Sequence, residues 1–394
     1  MRLEEICTVF TDGDWIESKD QSDDGIRLIQ TGNIGEGIYL EKEARAKYIS
    51  EEIFGKLKCT EIFPGDILVS RLPDPVGRAC IIPEKEERMI TAVDCTICRP
   101  NESIISKEYL CYFMRSSAYY KKLLGSVTGT TRKRISRKNL GNVELEVPSK
   151  ERQMDVVEQL DCLVKVIESR KQELQLLDTL IKARFVEMFG SIHDGRFDMK
   201  TLLEIVNDDK NSIKRGPFGG ALKKEDFVED GYLVYEQRHA IHNDFEYAKY
   251  YITQEKYEGM IGFKVVPGDL IISCSGVTLG RIAEVPEGAK EGIINQALLK
   301  LSLNPHIMMN TFFIQQFRGE EIQNILFGFS RGSGIPNMPS MSEVKAVKFI
   351  CPPLELQKEY CDFVHQVDKS KVVVQKALDE TQILFNSLMQ QYFG

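Results

Sequence analysis

The chain repeats itself, and the repeat decides what it can fold into. "FPGDILVSRLPDPVGRACIIPE" (63–84) is echoed by "VPGDLIISCSGVTLGRIAEVPE" (266–287). Pro64, Gly65, Asp66, Ser70, Gly77, Arg78 and Pro83 recur at Pro267, Gly268, Asp269, Ser273, Gly280, Arg281 and Pro286, each 203 positions later. "VELEVPSKERQ" (143–153) returns as "VKFICPPLELQ" (347–357), and Phe189-Gly190 returns as Phe393-Gly394, both shifted by 204. "LEEIC" (3–7) reappears as "LLEIV" (202–206), soon after the internal Phe-Gly. Matches in one order with a nearly constant offset require two copies of one plan.

Each copy has the same internal sequence of elements. Short β-like runs come first, such as "DILVS" (66–70) and "DLIIS" (269–273), each behind a Pro-Gly turn. A helix follows, capped by Ser106 in one copy and Asn310 in the other, and ended by Gly125 and Gly328. Alternation of Val143, Leu145 and Val147, and of Val347, Phe349 and Cys351, predicts a strand. A long helical segment then reaches Phe-Gly.

In the first long segment Val156, Leu160, Leu163, Ile167, Leu174, Leu177, Ile181 and Met188 fall on three- and four-residue steps, with Arg170 and Arg184 at two seam positions. In the second, Tyr360, Val364, Val367, Val374, Leu378, Phe385, Leu388 and Tyr392 take those places, with Lys371 and Thr381 as polar interruptions. Heptad spacing predicts a coiled-coil seam. Ser149 suits the cap of the first helix, with Glu151 in its first turn, and Pro353 suits the first turn of the second. A helix over 149–189 extends roughly 60 Å at ~1.5 Å per residue. Two amphipathic helices packed separately on their own domains are the alternative; the matched lengths and shared Phe-Gly end argue against it. The expected fold is α+β (mixed α/β). Two similar domains, 1–148 and 191–352, are separated by two long antiparallel helices, 149–190 and 353–394, related by a pseudo-twofold axis.

Composition limits the partners. The 394 residues allow two or three domains. No apolar run approaches the roughly 20 residues needed to span a bilayer, and "MRLEEICTVF" has no basic stretch leading into an apolar core, so neither span nor secretory signal is expected. Ten cysteines without framework spacing suit reduced thiols in a cytosol. A net charge of −8 is awkward for a free-standing nucleic-acid binder, because phosphate contacts need Lys and Arg. Any DNA contact needs basic surface that is local or shared with partners.

The module closing in "VPSKERQMDVVEQLDCLVKVIESRKQELQLLDTLIKARFVEMFG" (147–190) resembles the type I restriction–modification specificity subunit. So do "KRGPFGGALKKEDFVEDGYLVYEQ" (214–237) and the two "PGDIL…GR"-type modules. The resemblance spans essentially the whole chain. It implies that each globular domain is a target recognition domain reading one short half of a bipartite double-stranded DNA site, with the paired helices as a ruler for the unread spacer. It further implies two adenine methyltransferase subunits docked on the chain, restriction (translocase and nuclease) subunits for cleavage, and a bacterial or archaeal cytoplasm. No catalysis and no cofactor are implied in this chain; S-adenosylmethionine belongs to the methyltransferase.

Candidate DNA contacts follow from residue type and place. Arg132, Lys133, Arg134, Arg137 and Lys138 form the densest positive stretch, behind "GSVTGTT" (125–131). It reads as a phosphate-contacting loop, with an arginine fit for a bidentate guanine contact, or as an ordinary solvated run. Arg331, with Ser330 and Ser333, holds the equivalent place in copy two. Ser70, Arg71 and Arg78, with Ser273, Ser275 and Arg281, flank the loop after the Pro-Gly-Asp strand; base reading and a structural role are both open for the recurring arginines. Gln30, Thr31 and Asn33, and Gln237, Arg238 and His239, sit where an early strand gives way to a loop, and amides there suit adenine edges.

Other motifs are weaker. "CTIC" (95–98) is a lone CxxC in an alternating strand and reads as buried thiols, since zinc needs a second ligand pair. His239 and His242 lack the glutamate of a HExxH site, and Pro217–Gly220 lacks the Gly-Lys-Ser/Thr of a phosphate loop. The rival functions are a self-contained methyltransferase or nuclease, for which "PDPVG" (73–77) lacks the expected aromatic, and a coiled-coil scaffold that binds only proteins.

Overall fold

The fold is that of a computed structural model, which describes residues 1–127, 129, 133–218, 220–328 and 336–394. Copy one contributes β1 (Cys7–Asp12), β2 (Ile26–Ile29), β3 (Tyr48–Ile49), β4 (Glu61–Ile62), β5 (Ile67–Ser70), β6 (Ala79–Ile81), β7 (Met89–Thr91) and β8 (Cys95–Pro100). From copy two come β9 (Met199–Thr201), β10 (Ile213–Arg215), β11 (Phe227–Val228), β12 (Tyr232–Tyr235), β13 (Tyr251–Ile252), β14 (Lys264–Val265), β15 (Leu270–Ser273), β16 (Ile282–Glu284), β17 (Gly292–Ile294), β18 (Leu298–Leu301) and β19 (Lys348–Ile350).

The duplication is reproduced in both sheets, except that copy two adds the edge strand β11 where copy one has only the Ser22–Tyr48 bridge. Copy one has a sheet ordered β1-β8-β5-β6 and another ordered β3-β2-β7-β4; copy two has β10-β18-β15-β16 and β11-β13-β12-β17-β14. Even the register is kept: Phe10 faces Cys98 as Ile213 faces Leu301, and Leu68 faces Cys80 as Ile271 faces Ala283. In each second sheet one pair is parallel, β2 with β7 and β12 with β17. The β9–β19 pair, Met199–Thr201 against Lys348–Ile350, has a one-bridge counterpart at Arg2 and Glu144.

The shared letters explain the shared turns. Gly65 and Gly268 have φ of +91° and +84°, and the carboxylates of Asp66 and Asp269 accept the N–H of Phe63 and Val266, each at 2.9 Å. Gly77 and Gly280 close the following hairpin at φ of +92° and +77°. The positive φ favours glycine, and a Cβ there, 2.2 Å from Leu123 Cδ1 or 2.4 Å from Phe327 Cε2, would also force those side chains to shift.

Each domain is layered. Strand β5 sends Ile67 and Val69 to a core shared with helices, and Leu68 to a core shared with the second sheet. Strand β15 does the same with Leu270 and Ile272 on one side and Ile271 on the other. Burial on both faces accounts for the unbroken apolar runs in these strands.

The two long helices span Lys150–Phe189 and Leu354–Phe393, 40 residues each. Ser149 caps the first, accepting Arg152 N at 3.3 Å. The chain divides into two compact units, Met1–Gln172 with Gln375–Gly394, and Glu173–Val374. Each unit holds the start of one long helix and the end of the other, antiparallel. In unit one Tyr392 Oη donates to Gln159 Oε1 at 2.7 Å, and Val156, Leu160 and Ile167 share a core with Phe385 and Met389. In unit two Arg184 reaches Glu359 at 2.9 Å and Lys371 reaches Asp178 at 2.7 Å, around a core that includes Ile181, Tyr360, Val364 and Val367. The polar seam residues Arg184 and Lys371 thus lay their stems along the seam and pair at its edge.

The repeated Phe-Gly is a docking end. Phe189 packs edge-on against Phe312, centroids 4.9 Å apart, and Phe393 packs against Tyr109 at 5.2 Å; Tyr109 and Phe312 are themselves 203 positions apart. Each helix start is fastened by a buried glutamine. Gln153 Nε2 donates to Ile104 O (3.0 Å) and Pro148 O (2.9 Å), while its Oε1 accepts Ser106 N (2.8 Å). Gln357 repeats the set with Ile307 O, Pro352 O and Met309 N, each at 2.9 Å.

Three local expectations are corrected. The single helix expected before Gly125 is two, Lys107–Phe113 and Ser117–Leu124, because the Ser116 side chain accepts Tyr119 N and starts the second. Its counterpart breaks at Gly319 into Asn310–Arg318 and Glu320–Phe327. The residue at the cap is Met309, and Asn310 Nδ2 instead donates to Gly268 O at 2.7 Å and Glu284 Oε1 at 2.9 Å. Pro353 lies just outside the second long helix, which starts at Leu354. No helix among the described residues is long and apolar enough to cross a membrane.

Candidate nucleic-acid interface

In each domain the ends of β1, β5 and β8, or of β10, β15 and β18, meet the loop that follows the parallel strand pair. In unit one this end gathers arginines over two carboxylates. Arg71 lies 3.4 Å from Asp12, Arg137 lies 3.9 Å from Asp12, and Arg134 lies 2.8 Å from Asp94. Arg71 is buried and also donates to Val93 O at 2.5 Å. Burial pulls its pKa down and Asp12 pulls it back up, and as an arginine it stays charged. Lys133 and Lys138 are exposed beside it, and Arg137 and Lys138 open a short helix capped by Ser136. Three arginines against two aspartates, with two free-facing lysines, leave this edge cationic on an acidic chain. Arg132 lies outside the described residues, as does Arg331 in copy two.

In unit two the same places carry different chemistry. By the 203 offset Arg215 stands for Asp12, Cys274 for Arg71 and Asn337 for Arg134. The backbone contact survives the exchange: Ile135 N donates to Arg71 O at 3.2 Å, and Met338 N donates to Cys274 O at 2.8 Å. Arg215 Nη2 donates to Asn337 Oδ1 at 3.0 Å. Gln237 Nε2 donates to Ser275 Oγ at 2.8 Å, and Ser275 bridges to Asn337. Arg238 is exposed over Tyr247, 4.5 Å from its ring centroid.

Several expected contact residues turn out to be internal fasteners. Arg78 is buried and all its reach is spent on backbone carbonyls: Ile34 at 2.7 Å, Leu72 at 2.9 Å, Pro75 at 3.1 Å and Thr31 at 2.8 Å. It ties the 31–34 loop to the 72–75 loop and presents nothing outward. Arg281 departs from its counterpart and is exposed; in copy two the tie between the two loops is made by Gln237. Ser70 and Ser273 are buried, with Ser70 Oγ donating to Leu72 O and Ser273 Oγ to Thr278 O.

Asn33 and His239 do one job in two chemistries. Asn33 Oδ1 accepts Gln30 N at 3.0 Å and its Nδ2 donates to Leu40 O at 3.0 Å. His239 Nδ1 accepts Glu236 N at 2.9 Å and lies 3.1 Å from Glu236 O, and Nε2 meets Tyr247 O at 2.9 Å. Both are buried. Gln30 and Thr31 remain half-buried at the loop. Cys95 and Cys98 are buried in β8, and burial pushes the Cys95 thiol up to about 12.

Sequence reasoning did not single out Arg215, Asn337, Gln153 or Gln357. The signal was present: extending the 203 offset from the Pro-Gly-Asp motif to both ends of each copy aligns Gly13 with Gly216 and Arg134 with Asn337.

A family model for the type I restriction modification DNA specificity domain matches residues 1–179 and 217–381. The chain belongs to this family. Among specificity-domain proteins it is similar to the type I restriction enzyme StySPI specificity subunit of Salmonella potsdam, 23% identical over 318 residues, or 75% of this chain. That match spans 65% of the relative's length, a little under two thirds. Of solved structures, one similar chain comes from a type I R-M system described for its complex assembly and conformational transition. It has a TM-score of 0.62 at 15% identity, over 100% of this chain and 96% of that one. The S subunit of a type-I restriction-modification system from M. genitalium has a TM-score of 0.55 at 14% identity, over 100% and 95%. At such identities these two likenesses speak for the specificity-subunit fold.

Proposed function

We propose that this chain is the sequence-reading subunit of a type I restriction–modification complex. Each domain reads one half of a two-part DNA site in the bacterial or archaeal cytoplasm, and the paired long helices set the unread gap. One observation carries the reading. The strands that the two copies share keep their order and register, while the side chains at one end of the sheets change from Asp12, Arg71 and Arg134 to Arg215, Cys274 and Asn337. A constant scaffold under divergent hydrogen-bonding loops suits two readers of different sequences.

The chemistry falls to partners. Two adenine methyltransferase subunits, which bring the S-adenosylmethionine, dock on the long helices, and restriction subunits add cleavage. The helices carry exposed apolar residues suited to such docking: Val166, Ile383 and Leu384 in unit one, and Leu176, Leu180, Val372 and Val373 in unit two. Of these, Leu180 and Leu384 are equivalent by the 204 offset, and the other five fall on polar residues of the other copy. Co-expression with the cognate methyltransferase and genome-wide mapping of methylated adenines tests the proposal. It predicts a motif of two short parts with a constant gap. Methyl transfer by the purified chain alone would overturn the non-catalytic role. Absence of any DNA footprint with methyltransferase present would favour a protein-only scaffold.

A further inference from the structure

Trp15 and Phe218 stand at the same point of the two copies, 203 positions apart and each two residues beyond a glycine. Those glycines are pressed against the loop that follows the parallel strand: a Cβ on Gly13 would lie 2.4 Å from Thr91 O, and one on Gly216 would lie 1.8 Å from Asn295 O. The backbone is therefore seated. The rings beyond it are not covered, at 68% exposed for Trp15, the chain's sole tryptophan, and 64% for Phe218. A single exposed aromatic is ordinary. Two at one position of a repeat, whose neighbouring polar residues have all been exchanged, are a retained feature.

Their surroundings indicate what covers them. Phe218 carries the Arg215 guanidinium over its face at 5.2 Å, and that arginine is hydrogen-bonded to Asn337 in the exchanged loops. Arg215 Nε is buried with no hydrogen-bond partner among the described residues. Val277, 99% exposed, tips the adjoining loop. Around Trp15 the charges differ: Glu17 pairs with Lys19 at 2.7 Å, and Asp14 lies next in the chain. With Glu17 paired to Lys19 and Asp14 accepting Thr60 N at 2.8 Å, the charges nearest this ring are already engaged, and its exposed face fits an uncharged surface. In a duplex that surface is the base stack.

We propose that Trp15 and Phe218 are the apolar base contacts of their domains, each ring wedged against base faces within the half-site its domain reads. This rests on the DNA-reading function proposed above. The test uses the full chain co-purified with its methyltransferase subunit. The probes are duplexes carrying the mapped two-part site, with 2-aminopurine placed in one half or the other. Trp15→Ala and Phe218→Ala complexes should assemble as the parent does and bind at least about tenfold more weakly, with Trp15→Phe and Phe218→Trp close to parental. The 2-aminopurine fluorescence rise seen with the parent should disappear only in the half-site of the altered domain. Unchanged affinity and fluorescence in both alanine variants would overturn the inference. So would loss of the methyltransferase from either variant, which would assign the rings to a protein interface. A parent complex that binds no duplex would defeat the DNA-reading function itself, and the inference with it.

Discussion

Gln153 and Gln357 show how one side chain can fasten a helix to a domain. Each buried side chain satisfies three backbone groups at the junction between its helix and the domain. Replacing Gln153 by Ala orphans all three, and the expected loss is about 3 kcal/mol in urea unfolding; parental stability would contradict the assignment. The recurring arginines separate cleanly. Arg78→Ala strips four carbonyls of a buried partner and should cost about 3 kcal/mol, whereas Arg281→Ala, at an exposed position, should stay within about 0.5 kcal/mol. Thiol reactivity gives a third check at this scale. Cys162 is exposed, while burial holds the Cys95 and Cys274 thiols up at about 12 and Cys111 at about 11. A chromogenic disulfide reagent should therefore modify Cys162 first in the folded chain. At this scale the letters showed which positions recur but not whether a side chain points in or out. Arg78 and Arg281 are identical letters in aligned motifs with opposite fates, because burial is set by loops far away in sequence.

The long helices were the most legible elements. Apolar residues at heptad steps mark a seam whatever the neighbouring domain does, and Val156, Leu160, Ile167, Ile181, Tyr360, Val364 and Val367 are buried as that pattern requires. The shorter helices were less so: the breaks at Ser116 and Gly319 depend on a side-chain cap and on the turn of the chain, which apolar periodicity does not record. Strands of two residues, such as β3 and β4, exist only through their neighbours and leave no pattern of their own. The seam predicts a sharp contrast between adjacent leucines. Leu177 packs against the core of unit two and Leu176 is exposed. Leu177→Asp, which places a charge at a half-buried seam position, should destabilise the fold by roughly 2 kcal/mol. Leu176→Asp should leave unfolding unchanged and weaken methyltransferase retention, read by co-purification.

For the molecule as a whole, the repeat carried the architecture. A 203-residue offset in the letters became one order and one register for the strands that the two domains share, because turns built on Pro-Gly-Asp and Gly-Arg fix where each hairpin begins and ends. What the repeat could not convey is the chemistry at the loop ends, where copies keep the backbone contact and exchange the side chain. The proposed function has the helix pair set the gap between the two half-sites. Inserting one heptad at matched points of both long helices adds ~10 Å of helix, about three base pairs of duplex at ~3.4 Å each. Mapping methylated adenines for this variant beside the parent is the most direct measurement. Both half-motifs should persist unchanged with the gap between them lengthened by about that amount. An unaltered gap, or a methylated motif in one uninterrupted part, would contradict the account.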